Sequence, residues 1–315
     1  MCPNNSKNFT LPELPVLADS IPYNKLGSGK IVFQRENNNY EGIYVIDINH
    51  KKSWGINQAG FAPQISPGGD KIALTKYTNS ETAYDVYLTD IYGNNPKRIS
   101  NIKGQEECPT WSQDNHKIIY YSYLFSNGDG WIPAYVYDIQ SATTSYIMDF
   151  AQIDYYIHDP LDIISCSRED ICLASLSGKE GICTFGLNGD NFKQIIKYND
   201  EYAYFSPTWN PAGNKIAVMA VKLDSLGSTE MNIILFDQDG SDSTKIFTSK
   251  ESQSGIWNGN NNYSLCWSPD GSKILFNKRD GNLTAHIYMI NADGTNLNTI
   301  TSIPEVYDRS LSWGE

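Results

Sequence analysis

The sequence predicts an all-β fold, a propeller of six four-stranded antiparallel blades whose ring is closed by pairing of the N- and C-terminal segments. Three observations carry this. A turn motif recurs along the chain. It is whole at Trp267-Ser-Pro-Asp-Gly271 and altered at Ile65-Ser66-Pro67-Gly68-Gly69, Trp111-Ser112-Gln113-Asp114-Asn115, Cys166-Ser167-Arg168-Glu169-Asp170 and Trp209-Asn210-Pro211-Ala212-Gly213. Its Ser/Asn anchors stand at 66, 112, 167, 210, 268 and 312, at intervals of 46, 55, 43, 58 and 44 residues, which is the spacing of propeller blades. Sheet-forming residues dominate, with 21 Tyr against 5 Met, and helical periodicity is scarce.

The stretch Leu265–Thr301 shows how one blade is written. Leu265-Cys266-Trp267 is a short apolar run stopped by Ser-Pro-Asp-Gly. In that turn Pro presets φ, Asp caps its own backbone and Gly accepts positive φ. Lys273–Phe276, His286–Ile290 and Leu297–Thr301 follow, separated by an Arg-Asp-Gly-Asn turn and an Asn-Ala-Asp-Gly-Thr hairpin. A lone four-stranded meander cannot bury both faces, so it needs copies to stack against.

Taken in order, Met1–Gly29 carries four prolines among Asn and Ser and reads as an extended leader, with Leu11–Leu17 laid against the ring. Residues 30–315 form the propeller. Lys30–Phe33, Gly42–Ile48 and Trp54–Ile56 are three strands of a blade whose first strand is Ser310–Trp313, an arrangement that leaves no open sheet edge. The second blade runs from Phe61 through Lys71–Tyr77, Tyr84–Thr89 and Lys97–Ser100. The third runs from Cys108 through Lys117–Tyr123, Ala134–Ile139 and Ser145–Asp149. The fourth diverges most, with Leu161–Cys166, Ile171–Ser175, Gly181–Leu187 and Gln194–Tyr198. The fifth uses Pro207–Trp209, Lys215–Val221, Met231–Asp237 and Ser243–Thr248. Trp111, Trp209, Trp267 and Trp313 share one repeat position and read as inter-blade packing. Ser126–Pro133 and Ser249–Asn262 read as loop insertions. Each carries a tryptophan outside that pattern, Trp131 and Trp257, expected as loop contacts or, alternatively, as side chains tucked back onto the ring.

Acidic residues outnumber basic ones, 36 to 24, for a net charge of −12. With no Lys/Arg cluster, this excludes a nucleic-acid binder. No run of about 18 apolar residues is present to span a membrane. The six cysteines match no zinc spacing. The five internal ones read as small buried hydrophobes, with Cys172 and Cys183 on neighbouring strands as the alternative disulfide pair. Asp237–Asp242 and Asn127–Gly130 read as hairpin turns, not calcium loops. No metal or cofactor is expected. No Gly-x-Ser-x-Gly elbow occurs, and a Glu107–Asp159 pair is the one candidate for acid–base work.

Trp267-Ser-Pro-Asp-Gly271, Lys273-Ile-Leu-Phe276, Ile287-Tyr-Met-Ile290 and Asp293-Gly-Thr-Asn296 resemble the repeats of TolB-like six-bladed propellers, relatives of the WD-repeat proteins. The resemblance covers Lys30 to the C-terminus. It implies that the strand ending in the turn motif is innermost and that residues just before it line one channel mouth. These are Phe61, Glu106, Glu107, His158, Asp159, Asp162, Tyr202, Tyr204, Asn262, Tyr263, Asp308 and Arg309. The set is aromatic and acidic with one Arg, a composition suited to binding; the plain alternative is a solvated rim. Propeller lyases acting on pectic sugars cluster several His around a metal. Here only His158 falls near the mouth, since His50 and His116 lie in turns and His286 on a third strand. Cys2, followed by Pro-Asn-Asn-Ser-Lys-Asn, resembles the lipidated start of a processed bacterial lipoprotein; the alternative is a free thiol. The expectation is therefore a non-catalytic, monomeric module binding a protein or carbohydrate of the bacterial cell envelope. It would sit in the periplasm or at the cell surface, touching membrane only through Cys2. The alternatives are a propeller enzyme of polysaccharide lyase or hydrolase type using the mouth, and a cytoplasmic interaction scaffold if Met1 is the native start.

Overall fold

The computed structural model describes residues 17, 19–56, 58, 60–78, 84–102, 104–126, 129–153, 162–167, 169–176, 181–197, 201–223, 229–251, 263–281 and 284–315. Every element but one is a strand. Four separate sheets have four antiparallel strands each. In chain order they are β4 (Phe61–Ile65), β5 (Lys71–Tyr77), β6 (Tyr84–Asp90) and β7 (Lys97–Arg98); β8 (Gln105–Trp111), β9 (Lys117–Ser126), β10 (Asp129–Asp138) and β11 (Thr143–Ile153); β12 (Asp162–Cys166), β13 (Ile171–Leu176), β14 (Gly181–Gly186) and β15 (Lys193–Ile196); β16 (Ala203–Trp209), β17 (Lys215–Leu223), β18 (Thr229–Asp237) and β19 (Ser243–Glu251). A fifth, eight-stranded sheet contains two four-strand runs. One is β20 (Leu265–Trp267), β21 (Lys273–Gly281), β22 (Thr284–Asn291) and β23 (Asn298–Thr299). The other is β24 (Tyr307–Gly314) beside β1 (Lys30–Glu36), β2 (Glu41–Asp47) and β3 (Lys52–Ile56). One parallel bridge, Ala285–Tyr307, joins the two runs. The architecture is an all-β propeller with four-stranded antiparallel blades.

One expected insertion is corrected. Ser126–Pro133 is not a loop, because β9 extends to Ser126, β10 starts at Asp129, and Trp131 pairs with Leu124 across that hairpin.

The first strand of each run lies at the centre. β24, β4, β8, β12, β16 and β20 each contact the next, and β20 contacts β24. The core fills the seams between sheets. Ile65, Ile72 and Leu74 meet Val32 and Val45, while Trp267, Ile274 and Phe276 meet Met219 and Ile233. The repeat tryptophans pack these seams as the spacing predicts. Each indole N–H also donates to a backbone carbonyl: Trp111 to Gln64 at 3.0 Å, Trp209 to Ile171 at 3.1 Å, Trp267 to Thr208 at 3.2 Å and Trp313 to Ser28 at 3.0 Å.

The central strands share a device. Pairing slips between Phe61 and Gln64, Glu107 and Thr110, Asp162 and Ser165, and Phe205 and Thr208, and again opposite β24 between Val32 and Gln34. In four of these bulges a non-glycine residue takes positive φ: Ala62 (48°), Cys108 (53°), Ser206 (48°) and Ser310 (53°). Three of the four precede proline. Proline has no N–H to give a ladder, so these breaks accommodate it.

The N- and C-terminal strands meet. β1 pairs antiparallel with β24, Lys30 opposite Gly314 and Glu36 opposite Tyr307. Gly29 permits this approach, since a Cβ there would sit 2.2 Å from the Gly314 carbonyl oxygen. The segment before β1 is packed onto the sheet. Leu17 and Leu26 are buried with Ile31 and Trp313, and Tyr23–Leu26 forms one helical turn, α1. Asp19 accepts from the backbone N–H of Ser302 at 2.7 Å and Ile303 at 3.2 Å. Its other oxygen receives Arg35 at 2.6 Å. Arg35 in turn forks onto Asp308 at 2.6 and 2.8 Å. Burial opposes the Arg35 charge, but the hydrogen bonds and charges of Asp308 and Asp19 outweigh it and raise its pKa. His286 anchors the same connection to β24, with Nδ1 2.8 Å from Asp280 and Nε2 2.8 Å from the Ile303 carbonyl. Two acceptors fit the doubly protonated ring, and the hydrogen bond to Asp280 raises its pKa despite burial.

The cysteine reading is corrected as well. The disulfide joins Cys166 to Cys172, not Cys172 to Cys183. Cys166 and Cys172 stand opposite each other across the β12–β13 hairpin, whereas Cys183 faces Ala174 and is buried outside any disulfide. Cys166 occupies the position where other repeats carry tryptophan, so the most divergent repeat replaces a packing ring and a Pro-Asp-Gly turn with a covalent bond. The bridge spans six residues of sequence, and closing so short a loop is worth about 2 kcal/mol. Dithiothreitol is expected to lower stability in urea by that amount in the wild type and by nothing in C166S/C172S. Equal curves with and without reductant would overturn this.

Candidate functional site

The central strands offer two ends. At the end bearing the turn motifs lies a cavity of about 220 Å³. Six central strands contribute to it, through side chains such as Gln64, Thr110, Ser165, Thr208, Cys266 and Ser312. Its wall is largely hydroxyl, amide and indole, and among the described residues lining it Glu315 is the one carboxylate and no lysine, arginine or histidine is present. The expected mouth residues lie at the opposite end, where the central strands begin.

The structure divides that expected set. Glu106 is fully buried and turned toward the neighbouring sheet, with the Ser122 hydroxyl 3.4 Å away. Tyr263 is buried in a seam, its ring 5.2 Å from Phe205. Asp308 is buried in the Arg35 network. Tyr202 and Tyr204 stack on each other at 6.5 Å and pack on the seam formed by Trp209 and Ile234. Lys222 and Lys245 lie over the Tyr202 ring. His158, Asp159, Asn262, Trp257 and Cys2 fall outside the described residues, and of Asp162 and Trp131 only the backbone is described.

Phe61, Glu107 and Arg309 remain, and the fold brings them beside residues that sequence reasoning missed. Phe61, Tyr77 and Tyr84 form a triad with centroids 5.1 to 5.6 Å apart. Tyr77 and Tyr84 are paired at the end of the β5–β6 hairpin, and Tyr77 is 60% exposed. Arg309 donates to Glu36 at 2.7 Å and Glu41 at 3.3 Å, the pair that ends the β1–β2 hairpin. Gln34 also donates to Glu41. The Tyr77 phenol is raised by burial and by the charges of Glu41 and Glu107, with Arg309 acting against them. That places one exposed ring within electrostatic reach of all three. Burial alone pushes Glu107 up to about 7. The signal for Tyr77, Tyr84, Glu36 and Glu41 was their position at hairpin ends next to the central strands. In sequence they look like ordinary solvated strand ends.

Glu106 makes a separate prediction. Burial first, and then the neighbouring Asp85 carboxylate, push it up to about 8, while Arg98 holds Asp85. The folded-state pKa is above the unfolded value near 4.3. The folded state therefore keeps the proton, and this stabilisation is complete below about pH 4.3 and is lost as pH rises through about 8. His286 and Glu107 titrate with the same sign, so the difference between wild type and variant is the readout. Glu106→Gln is expected to flatten the fall in stability between pH 5 and 8 by up to about 1.4 kcal/mol per unit. Parallel wild-type and variant profiles in urea would contradict it.

Among the described residues no group of three or more His, Cys, Asp or Glu side chains is placed to hold a metal ion, and no helix is long and apolar enough to cross a membrane. No protein-family model matches the sequence, and no curated protein matches it. Solved structures do resemble it. TolB from Acinetobacter baumannii superposes with a TM-score of 0.69 at 16% identity, over 91% of this chain and 66% of that one. A putative TolB from Agrobacterium tumefaciens gives 0.54 at 16% identity, over 84% and 99%. An oligogalacturonate lyase in complex with manganese gives 0.58 at 12% identity, over 87% and 74%. This chain thus spans just under two thirds of the Acinetobacter protein. At these identities the likeness shows the fold, a TolB-like β-propeller, and a propeller carries many activities.

Proposed function

We propose that this chain is a six-bladed, closed propeller that serves as an exported, non-catalytic binding module of the bacterial cell envelope. Six central strands in mutual contact and the β1–β24 pairing support the count and the closure. The observation that carries the binding role is the cluster around Tyr77: an aromatic triad, with the Tyr77 ring exposed, beside Glu41, Glu107 and Arg309 at the open ends of the central strands. A protein or carbohydrate of the envelope is its ligand. The Cys166–Cys172 disulfide supports an oxidising compartment over a cytoplasmic scaffold, and Cys2 is the anchor if the mature chain is lipidated.

The test is a cross-linked pull-down from the source organism's envelope fraction. A partner captured by the intact protein and lost with Tyr77→Ala/Glu41→Gln supports the site. Equal capture by both moves it elsewhere. A second reading, an enzyme acting on an oligosaccharide, is favoured by one observation: Glu107 lies near neutrality, as a general acid or base requires. Turnover of envelope oligosaccharides that Glu107→Gln abolishes would select it.

A further inference from the structure

We infer that the Tyr77 cluster recognises a cationic side chain, a lysine or arginine presented by a protein partner. This rests on the mouth being the binding site, and it names the ligand's chemistry.

Charge comes first. Glu36 and Glu41 share Arg309, and both are already committed to it. Glu107 is the surplus acid. It has no hydrogen-bond or ion-pair partner among the described residues, and burial is the one cause of its raised pKa. An anion would meet that surplus directly. A cation would remove it, because a positive charge nearby favours the ionised carboxylate.

The rings give the second reason. This chain uses tyrosine faces for its own cations elsewhere: Lys76 lies 4.9 Å from the Tyr87 centroid, Lys278 5.0 Å from Tyr288, and Arg279 5.6 Å from Tyr307. Among the described residues no lysine or arginine lies over Tyr77 or Tyr84. These rings stand at the surface beside a carboxylate surplus, the arrangement that attracts ammonium and guanidinium groups. The neighbouring lysine does not fill the place, because the Lys76 ammonium donates to Gln58. A neutral glycan could stack on the same rings but would gain nothing from Glu107.

The experiment compares two blocked tripeptides, acetyl-Gly-Lys-Gly-amide and its norleucine twin, titrated into the full chain and followed by the ring proton signals of Tyr77 and Tyr84. The lysine peptide is expected to shift both rings. Its affinity should rise about five-fold from pH 6 to pH 8 as Glu107 ionises, the effect of one charge at roughly 7 Å near a surface. Glu107→Gln should remove that pH dependence, and Tyr77→Ala should weaken binding about ten-fold, each with unchanged circular dichroism. Equal binding of the norleucine twin overturns the inference. So does unchanged binding by Tyr77→Ala, which would mean general attraction to a chain of net charge −12. If the twin binds equally while Tyr77→Ala/Glu41→Gln still loses the envelope partner, the mouth remains the site and its cation preference is wrong.

Discussion

Asp308→Ala is expected to destabilise the protein by about 3–5 kcal/mol. The cause is not the loss of an attraction as such. Arg35 is buried, with 3% of its side chain exposed, and Asp19 and Asp308 are fully covered. Removing Asp308 strands a guanidinium that held two of its N–H groups on that carboxylate, with only Asp19 left to compensate. The same variant also frees the connection to β24, because Asp19 holds Ser302 and Ile303 through the same network. Chemical denaturation measures the loss. Asp19→Asn/Arg35→Leu/Asp308→Leu is the control: removing all three charges, with an amide oxygen kept at position 19 for Ser302 and Ile303, is expected to recover a large part of the stability, since apolar replacement of buried ion pairs is often neutral or better. A triple variant no better than the single would place the effect in packing instead.

Trp209→Ala is expected to cost about 3–5 kcal/mol. The indole is 5% exposed and sits with Leu173, Ile182, Ile216 and Val218 between two sheets. Its N–H reaches the Ile171 carbonyl across the seam. Two contributions separate on substitution. Trp209→Phe keeps most of the apolar volume and loses the hydrogen bond, for about 1 kcal/mol, and alanine loses both. A loss below 1 kcal/mol for alanine in a urea titration would remove Trp209 from the seam. Its neighbour across the seam, the Cys166–Cys172 hairpin, makes this the place where reduction and ring removal should couple, because both open the same interface.

The repeat was legible because turns are local. Ser268-Pro-Asp-Gly271 states its geometry in four residues, and the tryptophan before it marks the strand that the structure places at the centre. Strands such as Lys71–Tyr77 were read to the residue because apolar alternation ends where the polar turn begins. The bulges were written in the sequence too, as Ala62-Pro63, Cys108-Pro109 and Ser206-Pro207, each a proline where a ladder needs an N–H. What was not legible depends on pairs remote in sequence. Nothing near Asp19 announces that it will cap residues 302 and 303, and nothing near Arg309 names Glu36. The mouth reading failed in part for the same reason. Position just before the turn motif says that a residue is central, but not whether it points into the channel or, like Glu106 and Tyr263, into a seam.

The meeting of β1 with β24 has a consequence for the order of events in the life of the chain. β1 cannot complete its sheet until β24, about 270 residues later in the chain, has been made. At ordinary translation rates of 5–20 residues per second, that delay is roughly 15–55 s. For that interval β1 presents an apolar edge with no neighbour on one side, a template for any other nascent strand. Folding to completion is therefore gated by synthesis rather than begun by it, and contacts this remote in sequence form late even in a finished chain.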